Sequence, residues 1–255
     1  MTIESHLFGD GYVVYLDDMT AQLGGAFYFT PLRPYSPVPL KWCFDQLLRY
    51  PKAVLLDVGA STGCYSLLAR YHPNLTVYAF EPVPLTARVL SENVHLNDLE
   101  SKVHVHQVGI SNYNGTGILH SVKALGGSGV SIVDGKPAWH KDCEDIPVSV
   151  MTIDAFCELH EIAPTFLKID TEGAEKLVLE GAAKTIEQYH PFILCEYSPE
   201  NIDQFGYAPS DIIKKIEDWG YVWTNPEGTD LWCVPDSWEE QVSLANKVET
   251  NESNA

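Results

Sequence analysis

The chain has 255 residues, 45% hydrophobic and 20% charged, a balance that excludes global disorder and leaves room for one large domain or two small ones. Lys and Arg total 16 against 35 Asp and Glu, and the resulting charge of −19 argues against partners with phosphate backbones or anionic lipid surfaces. No run reaches the roughly 18 apolar residues of a membrane span. Met1 to Asp10 lacks the regions of a secretory signal, and the six cysteines form neither a CxxC pair nor a metal-ligand spacing, so a cytoplasmic chain with reduced thiols is expected.

In chain order, residues 1–50 are rich in Tyr, Phe and Pro and read as an N-terminal extension packed on a core domain of residues 51–236. Ala53-Val54-Leu55-Leu56-Asp57-Val58 lies between Pro51 and Gly59, the pattern of a strand buried on both faces. A helix is expected over Thr62 to Tyr71, a strand over Thr76 to Phe80, a helix over Leu85 to Asn97 and a period-2 strand over Val103 to Val108. Residues 112–147, with Gly115, Gly117, Gly126, Gly127, Gly129 and Gly135, are too long for a plain connection and read as an insertion forming an acceptor-side lid. Phe166 to Asp170 is the fourth strand. One helix then runs from about Ala174 to Tyr189, with Leu177, Val178, Gly181, Ala182 and Ile186 on one face. Phe192 to Glu196 follows Pro191 as the fifth strand. Gly220 to Trp223 and Asp230 to Val234, separated by Asn225-Pro226-Glu227-Gly228, make an antiparallel edge hairpin, and residues 237–255 a polar tail. The alternation gives an α/β fold, a mostly parallel seven-stranded sheet with helices on both faces.

In such a sheet, ligands lie beyond the carboxyl ends of the strands. The first such end reads Asp57-Val58-Gly59-Ala60-Ser61-Thr62-Gly63. A dinucleotide fingerprint needs G-x-G-x-x-G, and Ser61 breaks it. Asp57 also sets a carboxylate where a pyrophosphate would lie. A donor with a positive centre and no phosphate fits better, and S-adenosyl-L-methionine carries an ammonium and a sulfonium. The glycines then serve close approach of backbone to ligand. Glu81 ends the second strand about 20 residues after Gly59, the spacing of an acid that binds a ribose diol, and Pro82 fixes the next turn. The plainer reading makes Asp57 a loop-bonding carboxylate and Glu81 a solvated strand end; their placement at adjacent strand ends favours the cofactor.

Four segments carry a family resemblance: Leu56-Asp57-Val58-Gly59-Ala60-Ser61-Thr62-Gly63; Phe80-Glu81-Pro82; Met151-Thr152-Ile153-Asp154-Ala155-Phe156; and Leu167-Lys168-Ile169-Asp170-Thr171-Glu172-Gly173-Ala174-Glu175. Over about residues 50–200 the chain resembles the FkbM family of class I S-adenosylmethionine-dependent methyltransferases. The resemblance implies a Rossmann-like fold and methyl transfer to a hydroxyl, with a carbohydrate the leading acceptor and a polyketide or peptide natural product the alternative. It implies Asp57, Gly59 and Gly63 around the methionine and ribose, with Ala60 and Ser61 in the same loop. Glu81 and Pro82 fall at the ribose, Ser111 toward the adenine, and Asp170 at the edge of the cofactor. Ser61 stands where the family often has Asn.

Methyl transfer from a sulfonium is an in-line displacement whose leaving thioether needs no acid, so the enzyme must align the reactants and take a proton from the hydroxyl. Asp170 and Glu196 end neighbouring strands and should point into one crevice, with Glu172 and Glu175 at the start of the next helix. Asp170 is the expected base or orienter, and Glu172, Glu196 and the loop residue His140 are further catalytic candidates, with His120 beside them. Glu175 equally suits the helix macrodipole. Asp170 with Glu172 or Glu196 is also a candidate set for Mg²⁺ or Mn²⁺. Lys168 is expected to pair with a nearby acid. Trp42, Tyr35 and Trp139 are candidates for stacking on a sugar, although aromatic residues are usually core. The acceptor is expected to be a small molecule or glycan. A non-catalytic binding module of the same fold is the reading that Asp57, Glu81 and Asp170 argue against.

Overall fold

Strand β1 (Thr2–His6) pairs antiparallel with β2 (Val13–Asp17), and a one-turn helix α1 (Met19–Gln22) follows. The structure is a computed structural model that describes residues 2–7, 13–22, 38–122, 131–132, 143–239 and 241. Helix α2 (Val38–Leu47) leads into β3 (Ala53–Val58), a 3-10 helix (Ser66–Arg70), β4 (Leu75–Phe80), α3 (Pro84–Leu96) and β5 (Val103–His106). A second sheet contains β6 (Gly109–Ile110), β7 (Gly115–Val122), β8 (Ser131–Ile132) and β9 (Cys143–Met151). Then come α4 (Ile153–His160), β10 (Phe166–Ile169), α5 (Glu175–Gly181), α6 (Ala183–Tyr189) and β11 (Phe192–Glu196). The described chain closes with α7 (Pro199–Ile202), α8 (Pro209–Asp218) and the hairpin β12 (Tyr221–Thr224) and β13 (Asp230–Pro235).

The main sheet has seven strands in the order β12-β13-β11-β10-β3-β4-β5. The five strands from β11 to β5 are parallel, and β13 runs antiparallel to β11. The chain begins this sheet at β3, steps outward to β5 and then crosses back to β10. Loops after β3 and β10 therefore lead away in opposite directions, the switch point at which open α/β sheets bind ligands. Both strands are apolar because both faces are covered. On one face Trp42 of α2 sits 5.5 Å from Phe166 and 5.0 Å from Trp232, ring centre to ring centre. Trp42 is partly buried and packs its ring against this core. Tyr35 and Trp139 lie outside the described residues. On the other face Phe156, Val178, Leu179 and Ile186 pack under β10 and β11.

Two expected helices differ. Thr62 to Tyr71 gives turns and then the 3-10 helix, because Ser61 (φ +50°) and Gly63 (φ +99°) hold the chain out of the right-handed region at the expected start. The helix expected over Ala174 to Tyr189 is two, α5 and α6, which meet at Ala182 (φ −111°). The cause is a side chain from elsewhere: Asp154 on α4 accepts the Lys184 and Thr185 N–H groups at 3.2 and 2.8 Å, so α6 starts afresh on that carboxylate. Within the stretch 112–147, β7 pairs antiparallel with β9, which runs on to Met151. Leu119, Val148 and Val150 of this second sheet pack on Val83, two residues past Glu81. Cys43, Cys64, Cys157, Cys195 and Cys233 are buried free thiols. Among the described residues no helix is long and apolar enough to cross a membrane.

Candidate active site

The loop after β3 is shaped by its neighbours. The Gly59 and Ala60 N–H groups both donate to the Phe80 carbonyl at 3.0 Å, and Gly63 N–H donates to Ala60. A Cβ on Gly59 (φ +70°) would lie 1.8 Å from the Asp170 carbonyl oxygen, and one on Gly63 2.4 Å from Leu90. Backbone packing against Asp170 thus demands the first glycine, and the positive φ of Gly63 favours the second. Ser61 N–H donates to Glu81 Oε2 and Val83 N–H to Oε1, each at 2.9 Å. Glu81 is buried rather than solvated, and burial pushes its carboxyl up to about 7 against the pull of those two N–H groups. Pro82 is half-buried beside it. Ser111 is buried, and its N–H donates to Met151.

Asp57 has no exposed surface. It accepts the Ser66 hydroxyl at 2.7 Å and stands 3.6 Å from the Lys168 ammonium, so whatever it does for a ligand passes through the loop above it. Lys168 also reaches Asp170 at 3.5 Å and donates to the Gly59 carbonyl at 2.9 Å. Burial disfavours the ammonium, but Asp170 and Asp57 outweigh that and hold it charged, above the usual lysine value. One cation therefore ties β3, the glycine loop and the end of β10 together.

Asp170 keeps 29% of its side chain exposed at the carboxyl end of β10. Glu172 (φ +57°) and Gly173 (φ +111°) turn the chain next to it. Asn201 donates to Glu172 at 2.9 Å and, more weakly, to Glu196 at 3.4 Å, so the three acids are gathered at the ends of β10 and β11. Burial, then Asp170 and Glu175, raise Glu172 to about 7. Burial, then Asp170, Glu175, Glu172 and Asp230, raise Glu196 to about 10. These surroundings favour the neutral form of Glu196. Glu175 is buried and turns back into the loop, accepting the Thr171 N–H, the Thr171 hydroxyl and the Gly173 N–H. It organises the loop that follows Asp170.

His140 lies outside the described residues. His120 pairs with Asp145 at 2.9 Å on the second sheet. Among the described residues no three His, Cys, Asp or Glu side chains group as metal ligands. Two participants escaped the sequence reading. Asn201 belongs to no motif, and Asp230 reaches the cluster only because the β11–β13 register sets it opposite Glu196. The hairpin signal around residues 225–228 was the one cue to Asp230.

The model of the methyltransferase FkbM domain matches residues 57–223, from the buried Asp57 to the edge hairpin. Methyltransferase sdnD of Sordaria araneosa is 28% identical over 213 residues, 73% of this chain and 80% of that protein. The 31-O-demethyl-FK506 methyltransferase FkbM of Streptomyces tacrolimicus is 30% identical over 157 residues, 51% of this chain and 60% of that protein. A crystal structure of methyltransferase FkbM from Methylobacillus flagellatus KT is 19% identical with a TM-score of 0.48, covering 72% of this chain and 44% of that one. The matched span holds the glycine loop, Glu81, the Lys168 ion pairs and the acids after β10, and on it the chain belongs to the FkbM methyltransferase family.

Proposed function

We propose that the protein is an S-adenosylmethionine-dependent O-methyltransferase. The observation that carries this reading is the gathering of Asp170, Glu172 and Glu196 at the carboxyl ends of adjacent parallel strands, beside a glycine loop held by Glu81. The donor set suits a sulfonium and an ammonium, since clustered carboxylates repel phosphate and welcome a cation. Glu81 and the loop from Gly59 to Gly63 would hold the nucleoside, and Glu172 the charged end. When bound, S-adenosylmethionine supplies an electrophilic methyl group. Asp170, partly exposed and beside the Lys168 cation, orients the acceptor hydroxyl and takes its proton. Glu196, pushed up to about 10 by burial and the neighbouring acids, favours its neutral form and adds little charge to the cluster.

The acceptor proposed is a hydroxyl of a natural product rather than of a carbohydrate. Its support is the Streptomyces relative, whose name gives 31-O-demethyl-FK506 as what it methylates. The test is calorimetric titration with S-adenosylmethionine, NAD and ATP, followed by transfer of labelled methyl to panels of macrolide alcohols and of sugars. Asp170→Asn should keep donor affinity and lose a factor of about 10²–10⁴ in transfer rate. Near-parental turnover in that variant rejects the assigned base. Binding of NAD or ATP in place of S-adenosylmethionine rejects the whole reading, and methylation of sugars alone rejects the acceptor class.

A further inference from the structure

Two asparagines one turn apart, Asn93 on α3 and Asn97 at its C-terminal cap, are 0% and 3% exposed. Buried amides must find partners, and these find theirs in the N-terminal hairpin. Asn97 accepts the Tyr15 N–H at 2.9 Å and donates to the Tyr15 carbonyl at 2.6 Å, pairing with β2 as a neighbouring strand would. Asn93 Oδ1 accepts the Asp17 N–H at 2.7 Å. Its Nδ2 donates to Thr20 Oγ1 at 2.9 Å and to the Thr62 carbonyl at 2.8 Å. The Thr20 hydroxyl also faces Oδ1 at 3.3 Å, and Thr20 is itself buried. The hairpin has further holds: the Tyr71 hydroxyl donates to the Val13 carbonyl, and the Arg70 guanidinium lies 5.5 Å from the centre of the Tyr15 ring.

Thr62 belongs to the loop between Gly59 and Gly63. Its carbonyl shares a peptide plane with the Gly63 N–H, which donates to Ala60 at 2.9 Å. That plane is gripped on both sides, by Ala60 within the loop and by Asn93 from outside it. The grip matters because Ser61 (φ +50°) and Gly63 (φ +99°) flank Thr62 in the left-handed region, where alternative rotations of the peptide compete most readily. Asn93 is bonded to the hairpin and to this peptide at once.

We propose that Asn93 is a positioning residue through which the N-terminal hairpin sets the glycine loop, so that donor affinity depends on residues 13–20 outside the seven-stranded sheet. The proposal rests on the reading that this loop receives S-adenosylmethionine. Removing the grip frees the Thr62–Gly63 peptide and makes the ligand bear the cost of ordering it.

The test uses the full chain with Asn93→Ala and the nearly isosteric Thr20→Val. Each is titrated with S-adenosylmethionine and, separately, with S-adenosylhomocysteine, alongside its melting temperature and hydrogen exchange at residues 60–63. Affinity should fall by about tenfold for Asn93→Ala and about threefold for Thr20→Val, with faster loop exchange, in protein that still melts cooperatively. A merely structural role would lower the melting temperature and leave the affinity of the folded protein unchanged, and that result overturns the proposal. If Asn93→Ala does not fold, Thr20→Val decides alone. A parent chain that binds neither ligand rejects the cofactor reading and this proposal with it, an outcome distinct from a parent that binds and variants that match it.

Discussion

Lys168 shows how much of the site rests on one side chain. Its ammonium stands 3.6 Å from Asp57 and 3.5 Å from Asp170 and bonds the Gly59 carbonyl, all at 5% side-chain exposure. Removing one partner of such a set leaves a charge buried without compensation, which typically costs about 3–5 kcal/mol. Lys168→Met keeps the volume and should lose about that much in urea denaturation, because Asp57 has no route to water. Replacing the acid as well, as Asp57→Asn with Lys168→Met, should recover part of the loss. A single variant within about 1 kcal/mol of the parent would show the ion pair to be dispensable.

At the level of elements, the segment Thr152-Ile153-Asp154 works twice. Thr152 caps its own helix, accepting the Ala155 N–H at 3.1 Å, and Asp154 caps α6 through Lys184 and Thr185. Asp154→Ala should cost about 1–2 kcal/mol and speed hydrogen exchange over residues 184–188 while leaving donor affinity unchanged. An unchanged denaturation midpoint would mean that α6 starts without this carboxylate. The same pair explains what the sequence could and could not reveal. β3, β10 and β11 were legible because strands buried on both faces read as short apolar runs, and the edge hairpin was legible from its Asn225-Pro226-Glu227-Gly228 turn. The division of α5 from α6 was not, since helical spacing continues through Gly181 and Ala182 and the break is imposed by Asp154, 30 residues earlier. Helix α2 was hidden in a stretch whose prolines and aromatics suggested irregular chain. In the site, Glu81 and Asp170 were legible from their strand ends, whereas Asn201 and Asn93 act through long-range bonds that leave no spacing to detect.

Across the whole molecule, the buried acids couple folding to pH. Burial raises Glu196 to about 10 and Glu172 and Glu81 to about 7, so near neutrality the folded chain binds more protons than the unfolded one. A folded-state pKa above the unfolded value contributes stability that is complete below the unfolded pKa and is lost as pH rises through the folded one. His72 and His106 act in the opposite sense, since burial lowers both. Their contribution changes below about pH 6.5 and is flat above it. The carboxylates therefore govern the range above pH 7, where stability should fall as pH rises, by at most about 1.4 kcal/mol per pH unit for each titrating group. The buried thiols, raised well above their ordinary range at Cys43 and Cys195, push the same way from about pH 8.5. A comparison with Glu196→Gln isolates the carboxyl share. At constant ionic strength the parent's melting temperature should decline steadily between pH 7 and 8.5, and the variant's should decline less. Parallel profiles would mean that Glu196 does not take up a proton on folding, and with that its neutral form beside Asp170 would fall.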